Sequence, residues 1–444
     1  MKTTKILIVV LGAACLGALP LHAAGEVGKA IEVAPKVENT KCQMWPRMAW
    51  SEGAKCWLIA WREGFPNQNE ANIVCARVSA DGQVLDPAGI VVCKAKANQE
   101  YPTVASDGKG FLVAWEDLRN GKAWSVYAAR VAGDGKVLDQ DGFLVAGGDE
   151  YNRGRPAAAY VDGSYLLVWQ GYVYEPTKLN AERHGDLTID GTYNLFAGRV
   201  SSEGKVLNVS PEPIIRDKMK PMIDPSVSAA GKTAVVAFRG GGEDNFWNEG
   251  FVGVVRVDPA SGKSAGGVNF SEPLSPEDKP FCPSGGRMPG LLMIDEKSGL
   301  HVHKPKGRLS GNLMTLRKCG QFGNTSDLLG TKGAGGLNII PSLSWDGNQV
   351  LLVMDWNMTP DDGNQVAGDP RWKMETEIRG WVIAADGKLQ DDPKTGFVIS
   401  AEGPHKVEMQ GVCAAGPKGT FLVAYVQLRS VADTKLMARV VKIK

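Results

Sequence analysis

After the first two dozen residues, no stretch approaches the ~20 consecutive apolar residues that a membrane-spanning helix needs, so insertion into a bilayer is not expected. A dominant charge is missing as well. Lys and Arg number 50 against 49 Asp and Glu, and two of those bases, Lys2 and Lys5, lie in the leader described below. A chain so near neutrality lacks the concentrated positive field that nucleic acid or an anionic membrane surface selects. Histidine is scarce, with five in 444 residues. No pair of cysteines has CxxC spacing, so a zinc knuckle is not expected. No Gly-rich phosphate loop or Gly-x-Ser-x-Gly elbow stands in a strand-to-helix context, which excludes the common nucleotide and serine-hydrolase signatures.

What is present begins with a leader. Lys2 and Lys5 precede the apolar run Ile6–Leu11, and Leu21-His22-Ala23-Ala24 supplies a small-residue cleavage site, so residues 1–24 read as a secretory signal and 25–444 as one mature, secreted or periplasmic domain. Anchoring through Cys15 is disfavoured because Gly12 stands where a lipobox has leucine. Export permits disulfides among the remaining seven cysteines, Cys42, Cys56, Cys75, Cys93, Cys282, Cys319 and Cys413. The first four fall within one repeat and allow two bridges in three connectivities.

That repeat is clearest from Tyr101 to Ala146. Four short apolar runs, Thr103–Ser106, Phe111–Trp115, Val126–Val131 and Phe143–Ala146, are joined by Asp107-Gly108, a polar loop and Asp134-Gly135, which predicts a four-stranded antiparallel sheet. The second run recurs at Leu58–Trp61, Leu166–Trp169, Val235–Phe238, Leu351–Met354 and Leu422–Tyr425. A strand start, marked by Pro46, Pro102, Pro156, Pro225, Pro341 or Val412, precedes each copy. The third run and its turn recur at Arg77–Asp86, Arg130–Asp139, Arg199–Asn208 and Val382–Asp391. Met288–Asp295, Leu300–His303 and Asn312–Lys318 make a degenerate fifth unit.

Repeats of this length, each a sheet unable to bury both faces alone, predict an all-β fold: a seven-bladed β-propeller of four-stranded blades. The chain ends on a third strand, Met437–Ile443, and Gly28–Ala34 resembles a fourth, so the N-terminal strand is expected to close the last blade and remove an open edge.

The pattern Pro-x-x-Ala-x-Asp-Gly, Val-x-Trp-x-Asp-x-Arg-x-Gly, Tyr-x-x-Arg-Val-x-x-Asp-Gly-x-x-Leu-Asp over Pro102–Asp139 resembles the repeats of bacterial secreted β-propellers, some of them grouped with sialidase-like proteins. The resemblance implies a fold and carries over no catalytic residue. The sialidase Asp-box, Ser-x-Asp-x-Gly-x-x-Trp, is absent, its nearest approach being Ser79-Ala-Asp81-Gly82 without the tryptophan.

In such blades one face holds the short Asp-Gly turns, and insertions collect on the other, here at about 170–194, 240–250 and 355–377. Function concentrates on loops carried by a rigid scaffold. These loops hold Tyr172, Tyr174, Tyr193, Phe246, Trp247, Trp356 and Trp372, whose faces suit sugar rings or peptide side chains. Charged residues follow the second-strand aromatic: Arg62 and Glu63, Glu116 and Asp117 with Arg119, Arg239, and Asp355. Arg119, Arg239 and Arg371 are candidates to clamp a carboxylate or sulfate. Paired carboxylates at the mouth would serve a glycosidase. A feature that repeats in each unit, such as Asp117 with Arg119, equally suits a loop tie. His301 and His303 share a strand face, but two ligands do not make a metal site. No cofactor is expected, calcium at Asp361, Asp362, Asn364 and Asp369 being the one ion the loops suggest. The reading is a monomeric secreted propeller that binds a glycan or an extracellular protein segment, with a carbohydrate-active hydrolase or lyase as the alternative.

Overall fold

The computed structural model describes residues 25–35, 42–65, 71–148, 151–174, 191–216, 221–240, 251–265, 269–270, 290–303, 314–319, 325–329, 341–357, 376–392, 395–402, 407–430 and 433–444. All regular structure among them is strand. Six antiparallel sheets have four strands each in chain order, and a further sheet joins the two ends of the chain. The second sheet is representative: Gln99–Ser106, Phe111–Asp117, Ser125–Val131 and Phe143–Ala146. Each predicted run falls within its strand, but the first strand begins four residues earlier than Thr103, the second runs on to Asp117 and the third begins at Ser125.

The innermost strands are Gln43–Ser51, Gln99–Ser106, Arg153–Val161, Met222–Ala230, Gly290–Met293, Ser342–Trp345 and Glu408–Ala415. Each packs on the next, and the last returns to the first, so the sheets close a ring. The six four-stranded sheets are blades of a β-propeller. Seven equal four-stranded blades, as the repeats predict, are not what forms. The terminal sheet has five strands, because Gly25–Val27 and Ile31–Glu32 both pair with Asp433–Ile443, where one continuous fourth strand was expected. The break falls at Gly28, whose N–H still reaches the Val440 carbonyl at 2.8 Å. A Cβ there would stand 3.0 Å from that same oxygen. Ile31 faces Ala438 and Val27 faces Val441, so the two termini do meet in one sheet.

Packing explains the recurring second strand. It lies buried between neighbouring sheets, and its last large residue fills the layer against the preceding one. Trp61 packs with Ala424 and Leu436 of the terminal sheet, Trp115 with Ile59's neighbour Leu58, and Trp169 with Leu112 and Ala114. Phe238, Met354 and Tyr425 do the same in their layers. Burying such a side chain is worth about 1.5–3 kcal/mol, and the continuous apolar run follows from cover on both faces.

Strand ladders also shorten the predicted insertions. Pairing of Ser164–Tyr174 with Gly191–Ser201 runs out to Tyr174 opposite Gly191, and Gln349–Asn357 pairs with Thr376–Ala384 as far as Asn357. The fifth sheet contains the three predicted strands and a fourth, Thr325–Leu329, that its sequence did not disclose. Among the described residues the permitted disulfides are not made: Cys42, Cys56, Cys75, Cys93 and Cys413 are buried free thiols. Register keeps Cys56 and Cys75 apart, opposite Ser79 and Ala60 respectively. Cys282 lies outside the described residues, as does the side chain of Cys319.

Candidate ligand-binding site

Five innermost strands break register at one level, between Met44 and Arg47, Glu100 and Thr103, Gly154 and Ala157, Ile223 and Ser226, and Met409 and Val412. The first bulged residue in each has left-handed backbone: Trp45 (φ 60°), Tyr101 (49°), Arg155 (51°), Asp224 (51°) and Gln410 (57°). Four of them precede proline, which cannot donate to a ladder and belongs at such irregularities. Non-glycine residues held this way cost of order 1–3 kcal/mol each and cluster where a site is preorganised. These bulges lie at the end of the innermost strand away from the Asp-Gly hairpins, so they ring the axial mouth on the face with the insertions.

The strain is held by the residue that follows the second-strand aromatic, which reaches into the next sheet. Glu116 Oε2 accepts the Arg155 N–H at 2.8 Å, and Gln170 Oε1 accepts that of Asp224 at 3.0 Å. Asp355 accepts two, from Gln410 at 2.8 Å and Gly411 at 2.9 Å. Gln410 in turn accepts the Trp45 N–H through Oε1 at 2.7 Å. Where the position is basic, as at Arg62, it bonds Glu100, the residue before Tyr101, at 3.2 Å.

The bulged side chains meet one another. The rings of Trp45 and Tyr101 are 4.8 Å apart, and the Arg155 guanidinium sits over Tyr101 at 3.4 Å. Arg155 faces Asp224 at 3.9 Å, and Asp224 is bonded by Arg239 at 2.9 Å. Burial pushes the Glu116 carboxyl up to about 7, against the pull of Arg155 and with the help of Glu100 and Asp224. Burial also lifts Asp355 to about 7, opposed by its two backbone donors. The Tyr101 hydroxyl is pushed up to about 12, chiefly by burial. Burial and then the nearby Arg155 charge lower Arg47 to about 10. The mouth therefore joins two aromatic rings, a stacked guanidinium, and acids already engaged by arginines or by backbone N–H groups.

No protein-family model matches the sequence, and no curated protein matches it. Among solved structures, a protein of unknown function from Dyadobacter fermentans is similar at a TM-score of 0.51 and 11% identity, over 96% of this chain and 100% of the other. An α-L-arabinofuranosidase of Fusarium graminearum in complex with arabinobiose aligns at a TM-score of 0.46 and 10% identity, over 94% and 98% of the two chains. The parainfluenza virus 5 hemagglutinin-neuraminidase with the ligand DANA aligns at 0.46 and 9%, over 95% and 96%. At these identities the likeness to the Dyadobacter protein concerns the fold alone.

Of the residues singled out from sequence, three come together. Tyr172 and Tyr193 face each other across the third sheet with rings 5.5 Å apart, and Tyr172 and Tyr174 each lie 6.3 Å from Tyr151. Tyr151 and Tyr174 are the exposed members, at 37% and 50%. This patch adjoins the mouth, since Asn152, three residues before Arg155, donates to the Tyr193 hydroxyl at 3.4 Å. Trp356 instead lies buried against Trp381, with rings 5.8 Å apart. Arg239 is at the mouth, paired with Asp224. Arg119 bonds Asp117 at 2.6 Å, reaches the Asp141 carbonyl at 2.7 Å and covers Tyr127 at 3.9 Å, which is the loop tie. Phe246, Trp247, Arg371 and Trp372 lie outside the described residues, as do Asp361, Asp362, Asn364 and Asp369. Among the described residues, no group of three or more His, Cys, Asp or Glu is placed to hold a metal ion.

Sequence reasoning missed Trp45, Tyr101, Arg155, Asp224 and Gln410. Their signal was there: each stands immediately before the proline, or in one case the glycine, of the innermost strand.

Proposed function

We propose that the protein is an exported glycan-binding propeller, in which the six blades and the terminal sheet act as a seven-membered ring around one ligand mouth. An extended glycan segment lies along Trp45, Tyr101 and Arg155 at the axis and outward over Tyr193, Tyr172, Tyr151 and Tyr174. The observation that carries this is the aromatic and guanidinium stack set on left-handed backbone at the mouth. Aromatic faces offer sugar C–H surfaces a partner, and a preset ring avoids the ordering cost of binding. Binding is favoured over catalysis because the acids here already serve other partners: Glu100 binds Arg62, Asp224 binds Arg239, and Glu116 and Asp355 hold backbone.

The test is a glycan array probed with the labelled mature chain, followed by calorimetry on the strongest hits. Trp45→Ala and Tyr172→Ala should each weaken binding about tenfold or more. Silence across glycans with capture of peptides on a parallel array would move the reading to a protein segment.

One observation favours glycoside hydrolysis as a second reading. Glu116, with its carboxyl near 7, adjoins the Tyr101 phenol and Glu100, so a proton donor suited to neutral pH stands at the mouth. Release of reducing ends from an array hit, abolished by Glu116→Gln, would establish it.

A further inference from the structure

Asp355 belongs to the sixth sheet and Trp45 to the first, with the terminal sheet between them, yet an unbroken path of short hydrogen bonds joins the two. Both carboxylate oxygens of Asp355 are used, Oδ2 by the Gln410 N–H and Oδ1 by the Gly411 N–H. These bonds fix the left-handed bulge that turns the Gln410 side chain toward the first sheet. The amide is oriented with Oε1 on the Trp45 N–H. Its Nε2, in a residue 0% exposed, has no partner among the described residues. Leaving a buried donor unmet costs about 1–3 kcal/mol, so the amide is kept for its other half. Trp45 is itself left-handed, and its ring is what meets Tyr101.

We propose that Asp355, two sheets away, and Gln410, on the sheet between, are positioning residues that set the Trp45 wall of the mouth. As a statement about ligand recognition this rests on the glycan-binding reading; as a statement about Trp45 it stands on the bonds alone.

Chemistry gives the path a handle. A carboxylate accepts at both oxygens, but a carboxylic acid turns one of them into a hydroxyl donor. Protonating Asp355 therefore weakens one of the two bonds that hold the Gln410 bulge, because the hydroxyl oxygen is a poorer acceptor than a carboxylate oxygen. Asp355 is 2% exposed, and burial has brought its titration to about 7. Of the charged groups on the strands packed against it, Glu377 and Arg379 bond each other, and Glu408 accepts from the Glu402 N–H at 3.1 Å. At the far end of the path, Trp45 is neighboured through Tyr101 by Arg155, Glu100 and Glu116, with Arg47 beside Arg155.

The test is ¹⁹F NMR of the mature chain labelled with 5-fluorotryptophan, titrated from about pH 5.5 to about 8.5 without ligand. It is run in a Glu116→Gln background so that the other near-neutral acid is silent. The Trp45 and Trp356 resonances are assigned by their loss in Trp45→Phe and Trp356→Phe. Both should shift with a midpoint near 7. Gln410→Leu should leave Trp356, next to Asp355, titrating while Trp45 becomes flat, and Asp355→Asn should flatten both. A Trp45 resonance that does not move, or that titrates unchanged in Gln410→Leu, overturns the proposal, even if Asp355→Asn fails to fold. Array silence with this coupling intact would fail the glycan reading alone, and glycan binding without the coupling would fail this one alone.

Discussion

The guanidinium of Arg155 lies over the ring of Tyr101, 3.4 Å from its centroid, although the two residues sit on different sheets. The contact forms because both occupy the same bulge position on neighbouring innermost strands, each with left-handed backbone. A cation over an aromatic ring is worth roughly 0.5–2 kcal/mol, more when desolvated. Arg155→Met should lower the unfolding free energy by about 1–2 kcal/mol in urea denaturation, and weaken glycan binding by about tenfold in calorimetry. Arg155 also faces Asp224 at 3.9 Å, and Asp224 keeps Arg239 in this variant, so a loss of stability far above that range would mean that the Arg155–Asp224 pair contributes as well.

Glu116 and Asp355 predict how stability varies with pH. Both carboxyls are raised in the folded protein to about 7, above their ordinary 4.5 and 3.8. Between about pH 4 and 7 the folded chain holds protons that the unfolded chain has released. Stability from these groups is therefore complete below the unfolded values, falls as pH rises through that window, and is lost above about 7. Each contributes a slope of about 1.4 kcal/mol per pH unit within it. Urea midpoints should be lower at pH 8 than at pH 5, and Glu116→Gln and Asp355→Asn should each flatten the dependence. An unchanged slope in both variants would show that neither acid is held protonated by the fold.

The glycine between Arg153 and Arg155 makes a sharper test of the same contact. A Cβ on Gly154 would stand 2.3 Å from Glu116 Oε2, the oxygen that receives the Arg155 N–H. Gly154→Ala must shift that carboxylate off the bulge N–H, a loss of about 1–3 kcal/mol for the unmet donor. Gly154→Ala in a Glu116→Ala chain should cost much less than in the wild type. Equal costs in the two backgrounds, measured as a double-mutant cycle, would place the strain elsewhere.

How much of this was legible depends on what repetition preserves. The Trp and Phe ends of the second strands were visible because each fills an inter-sheet layer, a demand that recurs in every layer. The prolines were visible too, but not their cause. Proline marks the bulge, whereas the residue before it varies from Trp45 to Tyr101, Arg155, Asp224 and Gln410, and a backbone angle shared by five different side chains leaves no common letter. The mouth was hidden for that reason. The tyrosines at 172, 174 and 193 were found as loop aromatics, although the ladder turns out to carry all three. Trp356 misled because a residue beside an insertion looks exposed, while its strand continues and buries it.

The recurring arginine and aspartate of the third-strand turn give the last prediction, that this motif is scaffold and not site. Asp139 accepts from the Arg130 backbone N–H at 3.0 Å, from Nε at 2.8 Å and from Nη2 at 2.8 Å, and Asp86 takes the same three donors from Arg77. Asp391 accepts the Val382 N–H at 2.7 Å where the arginine is missing. In the third sheet Asn208 replaces the acid, and Arg199 turns to Ser164 at 3.0 Å. The motif lies at the hairpin end of its sheet, away from the mouth. Asp139→Ala should destabilise the chain by about 1–3 kcal/mol, the loss of charge-assisted bonds that also satisfy a strand N–H. Glycan affinity, measured below the unfolding transition, should stay within about twofold of wild type, because among the described residues Asp139 bonds Arg130 at the hairpin end. A tenfold loss of affinity in Asp139→Ala would instead place part of the ligand on the hairpin face and remove the argument that assigns binding to the face with the insertions.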